Sequence, residues 1–129
     1  MAGQCPDSVE EEEDFVSVKL SSRESGEVSI LDIAGSITLG ESANQLRAAL
    51  NDLISRNRKQ LLLNLSGLTF IDSSGIREVM SAFLELGKNG GKLKLLHPTQ
   101  RVKDLLRITK LHTIFEIYDD EATAISSFT

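Results

Sequence analysis

Residues 61–80 of the chain read LLLNLSGLTFIDSSGIREVM, and they join a predicted buried strand to a predicted amphipathic helix. Leucine fills four of the five positions from 61 to 65, which is typical of a strand that is covered on both faces. The pair Ser66-Gly67 predicts that this strand ends there. After Asp72 the apolar residues recur at helical spacing, at Ile76, Val79, Met80 and Phe83. Two serines and a carboxylate therefore stand at the predicted start of a helix.

The composition predicts one domain with an aliphatic core. A chain of 129 residues is long enough for a single domain that buries about two-thirds of its unfolded surface, and only 5% of its residues are aromatic. The lone cysteine, Cys5, excludes an internal disulfide and a cysteine-based zinc site. No apolar run reaches the length of about 18 residues that a membrane span needs. The chain also starts without a secretory signal. We therefore expect a cytoplasmic protein with no membrane partner.

The acidic residues are concentrated at the start of the chain. The net charge is −5, but six of the 19 acidic residues lie within residues 1–14, where there is no Lys or Arg. The remaining residues carry 13 acidic and 14 basic side chains, a net charge of +1. We interpret residues 1–14 as a disordered acidic tail and residues 15–129 as the domain, with a specific docking role of the tail as the alternative. Without a basic stripe and interleaved aromatic residues, no nucleic-acid partner is expected.

The rest of the chain alternates between predicted strands and helices. Strands are predicted at residues 15–20, 28–33, 61–65, 93–96 and 114–118, with a turn at 23–26 and a loop at 35–40. Helices are predicted from a capping box at Ser42 and Gln45, from Ser73 or Ser74 to about Gly87, over residues 102–109, and after Asp119, Asp120 and Glu121. The last of these helices is expected to turn Ala122, Ile125 and Phe128 inward.

The order of these elements predicts an α/β fold. Helices that join successive strands imply parallel crossovers, and only the first strand falls outside the alternation. We therefore expect a mixed, mostly parallel sheet of about five strands with about four helices.

No enzyme motif is present. The sequence contains neither a nucleophile elbow, a phosphate-binding glycine loop, a dinucleotide fingerprint nor a zinc-protease pair of histidines. A couple between Ser73 and His97 is conceivable, since both follow predicted strands, but nothing further supports it. An aspartyl phosphoacceptor at Asp72 would need an acidic pair after the first strand to hold magnesium, and that pair is missing. We expect no catalysis, no metal site and no cofactor.

A purely structural reading of Asp72-Ser73-Ser74-Gly75 remains open at this point. Asp and Ser are favoured residues at helix N-caps, and such a cap is worth about 1 kcal/mol. One of these side chains is expected to cap the helix whatever else the cluster does.

Four segments resemble STAS domains (sulphate transporter and anti-sigma factor antagonist), over about residues 15–128. Residues 64–76, NLSGLTFIDSSGI, are similar to the family's signature. The other three are GSITL at residues 35–39, GGKLKL at 90–95 and VKDLLRITKLHTIFEIYDDEA at 102–122. Stand-alone members of the family are anti-sigma factor antagonists. They bind a serine-kinase anti-sigma factor, are phosphorylated by it and are dephosphorylated by a serine phosphatase.

The resemblance implies a phosphorylation-controlled partner switch. It places the phosphate on Ser73, with Ser74 as second choice. It implies a partner-binding surface made of Thr38, Asp72, Ser73, Ser74, Gly75, Ile76 and Arg77. The alternative within the family is a scaffold that is never phosphorylated, in a stress-signalling or lipid-transport complex.

Two departures from the family pattern concern the partner-binding surface. Arg77 replaces a glycine that is common in the family, and the loop at Ser36 and Thr38 lacks an acidic residue. Arg77 is expected to be solvated or to pair with Glu41, Glu78 or a phosphate.

Overall fold

The structure is a computed structural model, and it describes residues 18–128. The predicted acidic tail and the predicted start of the first strand at residue 15 lie outside the described residues. The elements in chain order are β1 Val18–Ser25, β2 Val28–Ile37, α1 Glu41–Ser55, β3 Gln60–Ile71, α2 Ser73–Lys88, β4 Lys92–Leu96, α3 Gln100–Ile108, a 3-10 turn Leu111–Thr113, β5 Ile117–Tyr118 and α4 Glu121–Ser126.

The five strands form one sheet in the order β1-β2-β3-β4-β5. β1 runs antiparallel to β2, and every other neighbouring pair is parallel, which confirms the predicted mixed, mostly parallel α/β sheet. Because of this one reversal, the start of β1 lies at the same edge of the sheet as the ends of β2 and β3. We call this side the carboxyl edge. Val18 pairs there with Gly35, close to the end of β2.

Two separate cores cover the two faces of the sheet. The larger one lies under α1, α2 and α3, and it includes Leu46, Leu50 and Leu53 of α1. The smaller one lies under α4 and consists of Val28, Ile30, Leu62, Leu96, Ala124 and Phe128. Successive residues of β3 alternate between the two cores, which explains its nearly continuous leucines.

The predicted end of the third strand at Ser66-Gly67 is wrong. β3 continues through this pair to Ile71, and its register against β2 shifts twice, as β-bulges do. A Cβ on Gly67 would lie 2.9 Å from the Cβ of Ala34. The glycine therefore allows two neighbouring strands to approach closely within the sheet.

The first hairpin and the first helix also differ from the predictions. Residues 23–25, predicted as a turn, belong to β1, and β2 extends to Ile37 beyond its predicted end. The predicted capping box is wrong, because α1 begins at Glu41 and the side chain of Gln45 binds Glu41.

The end of the chain is less regular than predicted. Within the predicted strand 114–118, only Ile117 and Tyr118 pair with β4. α4 begins after its cap Asp120, as expected, but Ala122 is exposed and Ala124 takes the buried position.

Polar groups help to hold α4 on its face of the sheet. The ammonium of Lys94, which is 3% exposed, donates to the backbone oxygen of Ser127 at 3.0 Å and to its hydroxyl at 2.9 Å. On β1, the guanidinium of Arg23 binds Asp32 and Glu121, with Nε 2.6 Å from one Asp32 oxygen. The hydrogen bond from Arg23 is the main reason that the pKa of Asp32 lies below its usual range, and a hydrogen bond from the amide of Asn64 adds to the effect.

Candidate functional site

Asp72 organises the start of α2. It has extended backbone angles, and its Oδ1 accepts hydrogen bonds from the backbone N–H groups of Ser74 at 2.9 Å and Gly75 at 3.3 Å. The N-cap that the sequence left between an aspartate and two serines is therefore Asp72. The remaining oxygen, Oδ2, accepts from the backbone N–H of Leu39 at 3.0 Å. One carboxylate thus ties the start of α2 to the loop after β2.

The loop between β2 and α1 is held from both sides. The hydroxyl of Ser42 accepts from the backbone N–H of Thr38 at 2.8 Å and donates to its carbonyl oxygen at 3.1 Å. The carbonyl oxygen of Ile37 accepts from the backbone N–H of Asp72 at 3.0 Å. These contacts hold half-buried Thr38 in a loop that is joined to the start of α2 through Asp72.

The two serines differ in accessibility. Ser73 is the first residue of α2 and is exposed, whereas Ser74 is half-buried. Within residues 18–128, neither hydroxyl has a hydrogen-bond partner. Ser73 therefore presents its hydroxyl to solvent at a helix N-terminus, where the helix dipole favours an added negative charge while the neighbouring Asp72 carboxylate opposes it.

Gly75 sets the distance between α2 and the sheet. It is buried, and a Cβ at this position would lie 2.5 Å from Cγ1 of Ile71 and 2.7 Å from Cγ2 of Ile37. No larger residue fits without a shift of the helix. The role of Gly75 at the site is thus to position Ser73.

Ile76 and Arg77 point in different directions. Ile76 is half-buried and packs against the larger core. Only part of its side chain is therefore available to the predicted partner-binding surface. Arg77 is exposed and has neither an ion pair nor a hydrogen bond within residues 18–128. Glu78, one of the partners considered for it, lies 3.6 Å from Arg47.

Three exposed apolar side chains lie near Asp72, and the sequence analysis does not predict them. Leu39 is 82% exposed, Ile108 77% and Phe70 38%. Phe70 and Ile108 line a shallow groove between the end of β3 and α3, which also reaches Asp72. Phe70 and Ile108 lie off the apolar stripes of β3 and α3, and Leu39 lies in the loop after β2. These positions are the one signal in the sequence that indicates exposure.

Other kinds of site find little support in the described part of the chain. The larger core encloses an apolar void of about 20 Å³, which is room for about one water molecule. No group of three or more His, Cys, Asp or Glu residues within residues 18–128 could hold a metal ion. No hydrogen bond joins Ser73 to His97 there. None of the helices found between residues 18 and 128 combines the length and the apolarity of a membrane span.

Comparison with known proteins agrees with this architecture. The family model of the STAS domain matches residues 19–124, which is most of the chain. The chain belongs to the STAS domain family. The segment with Asp72, Ser73 and Ser74 lies inside the matched region, so the resemblance that the sequence indicated is confirmed.

Three relatives illustrate the kinds of protein that carry this domain. An anti-sigma F factor antagonist from Paenibacillus polymyxa is 27% identical over 86 residues, which cover 66% of this chain and 74% of the relative. The crystal structure of an anti-sigma factor antagonist from Mycobacterium paratuberculosis has a TM-score of 0.79 at 20% identity, covering 87% of this chain and 94% of that one. SpoIIAA, a Bacillus cell fate determinant solved in its phosphorylated form, has a TM-score of 0.68 at 22% identity, covering 88% and 100%.

Proposed function

We propose that this protein is an anti-sigma factor antagonist that acts as a phosphorylation-controlled partner switch. In its unphosphorylated form it binds a serine-kinase anti-sigma factor and frees the sigma factor; phosphorylation of Ser73 blocks that binding, and a serine phosphatase restores it. The observation that carries the proposal is the exposed hydroxyl of Ser73, which lacks a hydrogen-bond partner within residues 18–128 and stands at the start of α2. Support also comes from relatives described as anti-sigma factor antagonists, one of them solved in a phosphorylated form.

In this proposal the chain is the substrate of a kinase and performs no catalysis. The carboxylate of Asp72 binds backbone N–H groups of α2 and of the Thr38 loop, and so holds Ser73 in place. Gly75 allows α2 to lie close to the sheet. The exposed side chains of Leu39, Phe70 and Ile108 provide the apolar area that a partner can bury.

The charge of a phosphate is large enough to operate such a switch. A phosphoryl group adds about −1.5 to −2 charges at pH 7. At a helix N-terminus the fold tolerates that charge. A charge that is buried and unpaired in an interface costs about 2–5 kcal/mol, which is roughly 30- to 3000-fold in affinity.

The first test is mass spectrometry of the peptide that contains Ser73 and Ser74, in protein purified from its own cells. We expect one phosphate, located on Ser73 and removed by phosphatase treatment. A phosphate only on Ser74, or on another segment, would contradict the assignment. A peptide that stays unmodified under every growth condition, in protein recovered in a stable complex, would favour the scaffold.

Substitutions of Ser73 test whether a negative charge at this position is what weakens partner binding. Ser73→Ala should fold normally, resist phosphorylation and remain bound to the anti-sigma factor in pull-downs from those cells, whereas Ser73→Asp should be depleted from the complex. Ser81→Asp is the matched control, because Ser81 is an exposed serine farther along the same helix. If both aspartate variants lose the partner equally, the position of the charge at Ser73 has no special role.

A further inference from the structure

The acidic run at residues 10–14 is tethered beside the proposed phosphorylation site. Because β1 is antiparallel to β2, the chain enters the fold at the carboxyl edge, where Val18 pairs with Gly35. Two residues beyond Gly35, the carbonyl oxygen of Ile37 binds the backbone N–H of Asp72, the neighbour of Ser73. The sheet topology therefore places the start of β1 on the side of the molecule that carries Ser73, and five consecutive acidic residues end four positions before that strand.

The length of the connection is sufficient. Residues 10–14 precede Val18 by four to eight residues, and an extended chain of that length reaches roughly 13 to 29 Å. The end of β3 is two strands away from β1, which is about 10 Å across the sheet. Val18 is level with Leu68, so Ile71 lies a further three residues, about 10 Å, along the strand. Ser73 and the first turn of α2 thus lie within reach of the residues at the start of the run.

Arg77 is an exposed cation close to Ser73. Arg77 follows Ser73 by one helical turn, is exposed, and has neither an ion pair nor a hydrogen bond in the part of the chain from residue 18 to residue 128. Arg47, by contrast, contacts Glu78 at 3.6 Å and the side chain of Asn44 at 2.8 Å. Arg101 is also exposed without such a contact among residues 18–128, but the groove that it lines contains Asp104 as well. Lys19 is likewise exposed without such a contact there, but it follows Val18 on β1 and so lies on the face of the sheet opposite the core that α2 covers. Of these three cations, Arg77 is the one that shares a helix with Ser73 and has no acidic group beside it in a common groove.

We propose that the acidic run docks on the protein's own carboxyl edge, with its carboxylates on Arg77 and with Phe15 and Val16 over Leu39. The apolar pair lies between the run and Val18, and Leu39 is 82% exposed at the loop that Asp72 holds. One exposed ion pair is weak, at about 0.2–1 kcal/mol. The tether keeps the run at a local concentration in the millimolar range, so that a weak contact is populated and still reversible.

The docked run would compete with a phosphate, and this consequence alone rests on the proposed function. Residues 73 and 77 are four apart on a helix, so their Cβ atoms lie about 5–6 Å from each other. A phosphate on Ser73 would reach the same guanidinium and would displace the run by charge repulsion. A partner that binds Ser73 would likewise have to displace it.

The docking itself can be tested on unphosphorylated protein by amide NMR. The full chain is compared with a variant that carries Glu10→Gln, Glu11→Gln, Glu12→Gln, Glu13→Gln and Asp14→Asn, which keeps length and shape. We expect chemical-shift differences at Leu39, Ser73 and Arg77, and we expect them to disappear at high salt because exposed ion pairs are screened. Shift differences confined to residues next to the replaced positions would overturn the proposal.

Matched cation variants locate the contact on α2. In a background of Arg77→Gln, the amide replacements should no longer shift the signals of Leu39 and Ser73. Lys88→Gln is the control, since Lys88 is an exposed cation at the opposite end of the same helix. A response that survives in Arg77→Gln, or that is lost in Lys88→Gln, contradicts docking on Arg77. Because Ser73 carries no phosphate in any of these samples, the result does not depend on the proposed switch.

A spin label gives an independent readout of position. Cys5 is the only cysteine of the chain, so a nitroxide can be attached there without a substitution. Docking predicts that amide signals of Leu39 and Ser73 broaden in the full chain and recover in the variant with five amides. Equal broadening in both proteins would mean that the acidic residues do not hold the segment there.

Discussion

Gly75 is the residue at which α2 approaches the sheet most closely, and that contact carries a prediction. A methyl group there would meet side chains of both Ile37 and Ile71. We expect Gly75→Ala to lower the free energy of unfolding by about 1–3 kcal/mol, the usual cost of overpacking a core. Gly87→Ala is the matched control on the same helix, because a Cβ there meets nothing within 4 Å. It should raise stability by about 0.5–1 kcal/mol. Urea unfolding measures the change in the free energy of unfolding for both variants, which should have opposite signs. Equal changes would contradict the packing argument.

Asp72 combines two roles that substitution can separate. Its side chain caps α2 and also accepts from Leu39. Asp72→Ala removes all of these contacts and should lower the free energy of unfolding by about 1–2 kcal/mol. Asp72→Asn keeps the capping oxygen but replaces Oδ2 with an NH2 group, which cannot accept from the N–H of Leu39. It should therefore lose about 0.5–1.5 kcal/mol, less than the alanine variant. Denaturant unfolding checks both values. Equal losses in the two variants would mean that the cap itself adds nothing to the stability of the helix.

At the residue scale, the sequence identified the chemistry of the site better than its surroundings. The run of Asp, Ser, Ser and Gly after a strand predicted a helix start, because these residues satisfy orphan N–H groups or allow close packing. It could not decide between Asp72 and a serine as the cap, since both residue types cap well. For Leu39 and Ile108, the only local signal of exposure is their position outside the apolar stripes, and the groove near Asp72 depends on tertiary contacts that this signal does not encode.

At the scale of elements, strand ends were the least predictable feature. Gly67 was interpreted as a break because glycine is rare inside strands, yet the close contact with Ala34 makes it necessary there. The sequence predicts a strand over residues 114–118, but only Ile117 and Tyr118 pair with β4 in the sheet, and Glu116 adds a single backbone hydrogen bond from Leu95. Helices with long apolar stripes were located correctly, because their 3.6-residue period extends over several turns.

The docking of α4 depends more on its apolar contact than on its ion pair. Phe128 is 6% exposed in the smaller core, and Phe128→Ala should lower the free energy of unfolding by about 3 kcal/mol. Glu121 pairs with Arg23, but the two side chains are 39% and 44% exposed. Glu121→Gln should therefore lower the free energy of unfolding by less than about 1 kcal/mol. Urea unfolding ranks the two variants, and the reverse order would contradict this assignment.

The contact between β1 and β2 predicts a pH dependence. Arg23, and after it Asn64, lowers the pKa of Asp32. A carboxyl group whose pKa falls on folding stabilises the protein above its unfolded pKa of about 3.9, and this contribution is lost as the pH falls toward the folded value. Asp32→Asn should therefore lower stability at pH 6 and lose less stability than the parent protein between pH 5 and pH 3.

Urea midpoints at three pH values test this dependence. Glu85→Gln serves as control, because it removes an exposed carboxylate of α2 that lies outside the contact between Arg23 and Asp32. Parallel pH curves for the parent and Asp32→Asn would show that the ion pair adds nothing to stability.

At the scale of the whole molecule, the alternation of elements was sufficient to predict the sheet. Each helix between two strands is long enough to bring the next strand back parallel to the last, and the first hairpin accounts for the one antiparallel pair. The same reversal places the start of β1 at the carboxyl edge. Topology, rather than any motif, thus brings the start of β1 and Ser73 to one side of the molecule.

Removal of the acidic run should change the net charge of the protein but leave its free energy of unfolding almost unchanged. Both cores are formed by residues between 18 and 128, and a docked run would add only exposed contacts. A chain that lacks residues 2–14 should therefore unfold in one transition, with a free energy within about 1 kcal/mol of the full chain. Its net charge should change from −5 to +1, since the removed residues carry six acidic groups and no basic one. Urea unfolding and native isoelectric focusing measure the two quantities, and a loss of several kcal/mol would mean that residues 2–14 belong to the fold itself.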